Sequence, residues 1–106
     1  MDILKQITGA IDYIERNLNS EIDFAEIARI ACVTQDSFMR FFSYMTGMSV
    51  KEYIRCRRMT LAAFDLQNSG DKIIDIAVKY GYESGEAFSR AFFKQHHKTP
   101  TDIRRF

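Results

Sequence analysis

The chain has 106 residues, of which 46% are hydrophobic, and its 15 Lys/Arg against 14 Asp/Glu give a formal net charge of +1. Its start lacks the order of a signal peptide, and no apolar run approaches the ~20 residues of a membrane span, so no membrane partner is expected. Two cysteines are too few for a disulfide scaffold or a zinc site, so we expect a protein of the reducing cytoplasm.

Three helices are predicted in the first half of the chain. The first has one apolar stripe at intervals of three and four residues, made of Leu4, Ile7, Ile11, Ile14 and Leu18. Asp23 and Glu26 predict a capping box for the second helix, which ends at a tight turn at residues 32–33. Thr34 caps the third helix, which ends at Gly47 and carries the apolar side chains Phe38, Phe42 and Met45.

Four more helices follow. A capping box from Ser49 to Glu52 opens the longest, which runs to about Asn68. Asp71 is the predicted cap of the fifth helix, and a second tight turn precedes the sixth, which carries Phe88, Phe92 and Phe93. Thr99 caps the last helix, with Pro at its first position. No segment alternates with a period of two, so the predicted fold class is all-α with about seven helices.

The chain repeats itself at a spacing of fifty residues. Phe38-x-Arg40-x-Phe42 recurs as Phe88-x-Arg90-x-Phe92, and each copy follows a hydroxyl residue by four positions, Thr34 and Ser84. Ile27-Ala28 and Ile76-Ala77 precede the two copies. A helix-turn-helix unit carried twice indicates a protein that reads two neighbouring stretches of a long periodic ligand, and double-stranded DNA is the obvious candidate.

In their order and spacing, these motifs resemble the DNA-binding domain of the AraC/XylS family of bacterial transcription regulators. The likeness runs from about Ile11 to Arg105 and includes Tyr-Ile-Arg-x-Arg at residues 53–57, Gly-Tyr-x-Ser at 81–84 and Thr-Pro-x-x-x-Arg at 99–104. The length allows one domain or two subdomains that share a helix. The resemblance implies the second, with helix-turn-helix subdomains at 1–48 and 70–106, a linker helix at 49–69, and one recognition helix from each in the major groove.

The chain departs from the family pattern at a few positions. Cys32 and His97 stand where the family usually or often has Gly, and Val50 stands where Pro is common. If Cys32 adopts left-handed geometry, it costs on the order of 1 kcal/mol. Phe93 stands where Lys is common, which removes one candidate phosphate contact.

Candidate base contacts are the residues of each recognition helix that face away from its phenylalanines. They are Gln35, Asp36, Met39 and Arg40 in the first unit, and Gly85, Glu86, Ser89 and Arg90 in the second. Arginine can donate two hydrogen bonds to guanine, glutamine can pair with adenine, and glutamate can accept from cytosine. For Met39 the alternative is packing, and for Asp36 it is helix capping. The predicted phosphate contacts are Thr34, Ser84, Lys94, Lys98, Thr99, Arg104 and Arg105.

The positive charge lies toward the C-terminus. Residues 1–33 carry −3, residues 34–78 carry +1 and residues 79–106 carry +3. This distribution favours the second unit as the stronger binder of the DNA backbone, with base contacts falling mostly to the first. The two units differ in their candidate base contacts, so we expect an asymmetric site of roughly 20 base pairs. The two recognition helices are expected to lie about one DNA turn, ~34 Å, apart.

Catalysis has little support, because the sequence lacks a catalytic Ser/His/Asp spacing and a Gly-rich phosphate loop. No cofactor is expected, and no metal, because the adjacent His96 and His97 point in different directions on a helix. The family likeness implies an activator that recruits RNA polymerase and, if the chain is a fragment, an effector-binding domain beyond Phe106. Phe41, Tyr44, Met45 and Phe93 are interpreted as core rather than as an interface. The alternative function is a helical protein-interaction module without specific DNA binding, favoured by the near-neutral charge and by Asp36 and Glu86.

Overall fold

The computed structural model describes residues 2–105, and within them it contains seven α-helices and no strand. The helices are α1 (Ile3–Arg16), α2 (Phe24–Ala31), α3 (Gln35–Thr46), α4 (Val50–Asn68), α5 (Ile73–Lys79), α6 (Gly85–His96) and α7 (Pro100–Arg105). The all-α prediction is confirmed. None of the described helices combines the length and the apolar character that a membrane crossing requires. Met1 and Phe106, at which the predicted subdomains begin and end, lie outside the described residues.

The chain divides into two compact units, and the division falls inside α4, between Ile54 and Arg55. Unit 1 contains α1, α2, α3 and the first residues of α4. Its buried apolar side chains include Ile14, Leu18, Ile27, Phe38, Phe42, Val50 and Ile54. The Tyr53 ring meets Phe42 edge to face at 5.5 Å, and its hydroxyl donates to Glu15 Oε2 at 2.8 Å. This hydrogen bond ties the start of α4 to α1.

Unit 2 contains the rest of α4 with α5, α6 and α7. Its core is one cluster of Met59, Ala62, Leu66, Ile76, Ala77, Tyr80, Phe88 and Phe92. Two side chains of α6 also reach backbone carbonyls of α4: Gln95 Nε2 donates to Cys56 O at 3.1 Å, and His96 Nε2 lies 3.1 Å from Met59 O. α4 is therefore the element on which this unit is assembled.

The predicted first helix differs from the observed one at both ends of its stripe. α1 ends at Arg16, because Asn17 closes the last turn with its side-chain amide on Tyr13 O at 2.7 Å. Leu18 is buried but lies beyond the helix, whereas Leu4 is exposed. Periodicity thus located the helix and its buried centre, and it was wrong about Leu4.

Side-chain caps form at most of the predicted helix starts. Asp23, Thr34, Ser49, Ser84 and Thr99 each accept a hydrogen bond from a backbone N–H two or three residues ahead. The prediction for Asp71 is wrong, since α5 starts one residue later and its N-cap, Lys72, makes no capping bond with its side chain to any described residue. The Glu26 carboxylate binds Arg29 instead of closing a capping box, and this hydrogen bond lowers the pKa of Glu26.

Among residues 2–105, each unit has two left-handed residues, one glycine and one residue with a side chain. At the turn between the two helices of the motif, Cys32 has φ 60° in unit 1 and Gly81 has φ 88° in unit 2. At the end of the recognition helix the roles are exchanged, with Gly47 at φ 78° and His97 at φ 57°. A side chain with a Cβ is strained in this region, so Cys32 and His97 hold their turns against a local cost.

Replacing Cys32 with Gly is expected to raise the free energy of unfolding by about 0.5–1 kcal/mol, because the relief of left-handed strain exceeds the entropy that glycine adds to the unfolded chain. Urea unfolding measures the change. Cys32→Ala is the matched control, because it removes the exposed thiol and keeps the Cβ. Equal stability of the two variants would contradict strain at this turn.

A carboxylate of α4 joins two side chains at the end of α5. Asp65 Oδ2 accepts from Tyr80 Oη at 2.6 Å and from Lys79 Nζ at 2.9 Å. Burial favours a higher pKa for Asp65, but the hydrogen bonds from Tyr80 and Lys79 outweigh it and hold the pKa below its ordinary value. Burial, and then the bond to Asp65, raises the pKa of the Tyr80 hydroxyl. The pair is therefore stable as carboxylate and neutral phenol.

Asp65→Asn is expected to lower the free energy of unfolding at pH 7 by about 1–2 kcal/mol, since the buried Tyr80 hydroxyl loses a charged acceptor. A lowered folded-state pKa contributes stability above the ordinary value of ~3.9 and loses it as the pH falls through the folded value. The gap between wild type and variant should therefore close as the pH is lowered from about 5. Lys79→Gln, which removes the exposed partner, should change stability by less than about 0.5 kcal/mol. A gap that stays constant down to pH 2 would contradict this assignment.

Candidate nucleic-acid interface

The buried side of α3 determines which of its residues face outward. Phe38 and Phe42, four residues apart, are 3% and 4% exposed, and their ring centroids are 6.0 Å apart. Three exposed polar side chains are marked by the sequence for base contact: Asp36 and Arg40 on the face away from the rings, and Gln35 in the first turn, on the same side as the rings. Met39, the fourth candidate, is half-buried. The three exposed polar side chains lie within about one and a half turns at the start of α3.

α6 repeats this arrangement at a spacing of fifty residues. Phe88 and Phe92 are completely buried, with ring centroids 5.6 Å apart. Glu86 and Arg90 are exposed, whereas Gly85 and Ser89 are half-buried. Both helices have twelve residues. Arg40 and Arg90 therefore occupy the same position on two helices of equal length.

The hydroxyl caps leave donors at both helix starts. Thr34 Oγ1 accepts from Ser37 N, and Ser84 Oγ accepts from Ala87 N, each at 3.1 Å. A hydroxyl that accepts one bond can still donate its own hydrogen, here to an anionic oxygen. Thr99 caps α7 in the same way, accepting from Asp102 N at 3.1 Å. The chemistry at these three positions suits a phosphate, and the contact itself remains a prediction.

The two matched arginines differ in their surroundings. Arg40 Nε lies 3.2 Å from Asp36 Oδ2, one helical turn away, and both side chains are about three-quarters exposed. Arg90 has Glu86 at the same spacing, but forms no ion pair within the part of the chain that the structure describes. An exposed pair of this kind is worth only ~0.3–0.5 kcal/mol, so it orients Arg40 without locking it.

One predicted phosphate contact is engaged inside unit 2. Lys94, Lys98 and Arg105 are exposed, but Arg104 is half-buried, and its Nε donates to Leu66 O at 3.1 Å. Leu66 lies in the last turn of α4, where carbonyls lack partners within the helix. Arg104 Nη2 is buried and finds no hydrogen-bond partner among residues 2–105. This arginine therefore joins α7 to the end of α4, and its guanidinium is oriented toward the protein.

Two further cations, Arg55 and Arg58, lie near the second turn, and neither is among the predicted DNA contacts. An added Cβ at Gly81 would lie 4.0 Å from Arg58 Nη1. Burial raises the pKa of the Tyr82 hydroxyl, and the charges of Arg55 and Arg58 oppose that rise. Their spacing of three residues places both arginines on one face of α4. That spacing is the sequence signal that could have identified them.

The four apolar residues interpreted as core are all substantially exposed. Phe41, Tyr44, Met45 and Phe93 are 44%, 86%, 63% and 51% exposed. The core interpretation is wrong because Phe38, Phe42, Phe88 and Phe92 already fill the buried side of their helices. Among the described residues, no group of three His, Cys, Asp or Glu side chains is arranged to hold a metal ion.

The two units carry opposite charge. Up to Ile54 the chain has five Lys/Arg and eight Asp/Glu, which gives −3, and from Arg55 it has ten and six, which gives +4. Attraction to a polyanion is therefore concentrated in unit 2.

Known proteins resemble this chain over nearly its whole length. A protein-family profile described as a helix-turn-helix domain matches residues 27–105. The HTH-type transcriptional regulator YbfP of Bacillus subtilis is 39% identical over 102 residues, which cover 96% of this chain and 35% of YbfP. Regulatory protein SoxS of Salmonella typhimurium is 33% identical over 98 residues, which cover 92% of each chain. The chain thus spans about a third of YbfP and nearly all of SoxS.

The solved structures give the same likeness. A transcriptional regulator of Chromobacterium violaceum, described among AraC-type DNA-binding domain-containing proteins, superposes with a TM-score of 0.87 at 25% identity. The match covers 94% of this chain and 89% of that one.

Arg104 and Arg105 are neighbours in α7, but Arg104 is half-buried whereas Arg105 is exposed. Arg104→Ala is expected to lower the free energy of unfolding by about 1–2 kcal/mol, since it removes the bond to Leu66 O and the packing of the side-chain stem. Arg105→Ala, at an exposed position, should stay within about 0.5 kcal/mol of wild type. Thermal unfolding of both variants checks this, and equal stability would mean that Arg104 does not hold α7 to α4.

Proposed function

We propose that this chain, which belongs to the AraC/XylS family of helix-turn-helix transcription regulators, reads one asymmetric DNA site with its two matched helices. It is a DNA-binding transcription regulator. In the proposal α3 and α6 are the recognition helices, and each lies in the major groove. Their base-reading residues are exposed or half-buried in the first two turns of each helix: Gln35, Asp36, Met39, Arg40, Gly85, Glu86, Ser89 and Arg90.

The observation that carries this proposal is the match between α3 and α6. Each is a twelve-residue helix with a hydroxyl cap, two buried phenylalanines and one exposed arginine at the same position. Packing needs the phenylalanines, but nothing in the core needs an arginine at either place. An arginine side chain can donate two hydrogen bonds to guanine O6 and N7, worth ~1–3 kcal/mol of discrimination against other bases.

The charge difference supports unequal roles for the two units. Unit 2 carries the exposed cations Lys94, Lys98 and Arg105, so phosphate contacts should fall mainly to it. Unit 1 is net negative and places Asp36 on its reading face, so it gains little from phosphate attraction. Asp36 and Glu86 can each accept from a cytosine amine, which turns an unfavourable charge into a preference for particular bases.

A protein that regulates transcription is expected to contact other proteins besides DNA. YbfP and SoxS are both named as regulators, and YbfP is about three times as long as the matched segment. We therefore propose an activator that works in the cytoplasm without catalysis of its own and engages RNA polymerase once bound. A longer form with an effector-binding domain is the corresponding proposal for control by a signal.

Selection from a random duplex pool, followed by titration of the selected site, tests this proposal. Arg40→Ala and Arg90→Ala should each relax base preference by ~1–3 kcal/mol, and each should do so in a different half of the site. Lys94→Ala should instead weaken binding to all sequences alike and reduce the magnitude of the salt slope by about one.

Phe64→Ala is the control, because it removes an exposed aromatic side chain of α4, outside both proposed recognition helices. Absence of any enriched site, with weak binding even at low salt, would contradict specific DNA reading. That result would favour the helical protein-interaction module, whose apolar contacts need not weaken with salt. If both arginine variants relaxed the same half-site, one unit would be reading DNA without the other.

A further inference from the structure

Phe93 lies on the proposed reading face of α6. It follows Arg90 by three residues and Ser89 by four, which places the three side chains on one side of the helix. Its ring is 51% exposed, whereas Phe88 and Phe92 are completely buried. The core of unit 2 is therefore complete without Phe93, and the ring is presented to whatever α6 contacts.

The internal repeat shows that the helix does not need an aromatic ring at this place. Ser43 occupies the corresponding position of α3, fifty residues earlier, and it is exposed. α3 has the same length as α6 and also begins at a hydroxyl N-cap, with a serine where α6 has a phenylalanine. On the face proposed to read DNA, such a ring can make apolar contact with a base edge.

The surroundings of the ring restrict what it can contact. The His97 ring meets it edge to face at 6.4 Å, and His97 N–H donates to Phe93 O at 2.8 Å in the left-handed cap of α6. Arg90 and Lys94 flank it with exposed positive charge. The surface is thus an exposed apolar ring that packs against His97 and lies between two cations. A matching ligand presents an apolar group beside anionic oxygens, and in the major groove that group is the C5-methyl of thymine.

We infer that Phe93 contacts a thymine methyl beside the base read by Arg90, and so determines specificity in the half-site of α6. The inference rests on the proposed function, because it assumes that α6 lies in the major groove. The methyl projects into the groove from the edge of the base. A phenylalanine one helical turn beyond Arg90 can therefore meet it without a hydrogen bond to the base.

Deoxyuridine tests this directly, since it differs from thymidine only by the missing methyl. In the selected duplex, each thymine of the half-site assigned to Arg90 is replaced singly by deoxyuridine, and Kd is measured at fixed salt. Wild type should bind about fourfold more weakly at one of these positions, as expected for ~0.8 kcal/mol per buried methyl group. Phe93→Ser, which installs the residue of the other repeat, should bind the two duplexes equally. Phe93→Leu, which keeps an apolar side chain, should retain most of the difference.

Phe64→Ser is the matched control, because it also replaces an exposed phenylalanine with serine but lies in α4, outside both proposed recognition helices. It should keep the full deoxyuridine effect. A deoxyuridine loss that persists in Phe93→Ser would overturn the inference, and so would uniform weakening of all duplexes by Phe93→Ser without any methyl effect in wild type. Failure of the proposed function is distinguishable, because wild type would then select no site or Arg90→Ala would relax no base preference.

Discussion

Burial of two phenylalanines one helical turn apart is the constraint on which the candidate interface depends. Phe38 and Phe42 hold α3 in unit 1, and Phe88 and Phe92 hold α6 in unit 2. Because these side chains are completely or almost completely desolvated, neither helix can rotate about its axis without exposing a large ring, at a cost of roughly 1.5–3 kcal/mol for each side chain. The outward direction of Arg40 and Arg90 follows from that restriction.

The turns that present these helices are less uniform than the helices themselves. A left-handed residue is needed between the two helices of each motif and again after the recognition helix, and glycine meets that need without strain. Each unit has glycine at only one of the two places, and Cys32 and His97 hold the others. His97 caps α6 and also contacts the Phe93 ring, so this non-glycine residue contributes to the exposed surface at the end of the helix. Cys32 is exposed and has no comparable contact, which makes its strain the easier one to relieve.

Local signals predicted what depends on local physics. A spacing of three and four located α1, and hydroxyl and aspartate caps fixed the starts of α2, α3, α4, α6 and α7, because a cap bonds only a few residues ahead. Long-range hydrogen bonds and the burial of individual side chains depend instead on tertiary contacts. No spacing rule shows that Arg104 reaches back 38 residues to Leu66 O, that Met59 is fully buried, or that Met45 is not. The division of the core inside α4 also depends on which helices pack together, and sequence periodicity carries no information about that.

The opposite charges of the two units imply different contributions to nonspecific and to specific DNA binding. Unit 2, at +4, can be drawn to any stretch of duplex, because counterion release does not depend on sequence. Unit 1, at −3, gains little from that release overall, and in the proposed mode of binding Arg40 must exchange or share its bond to Asp36 before it donates to a base. In the proposed mode of binding, unit 2 therefore provides most of the affinity for nonspecific DNA, and unit 1 adds affinity only where its base contacts are correct. A nearly neutral chain can then discriminate strongly between sites, because weak nonspecific binding in one unit leaves base contacts as its main favourable interaction with DNA.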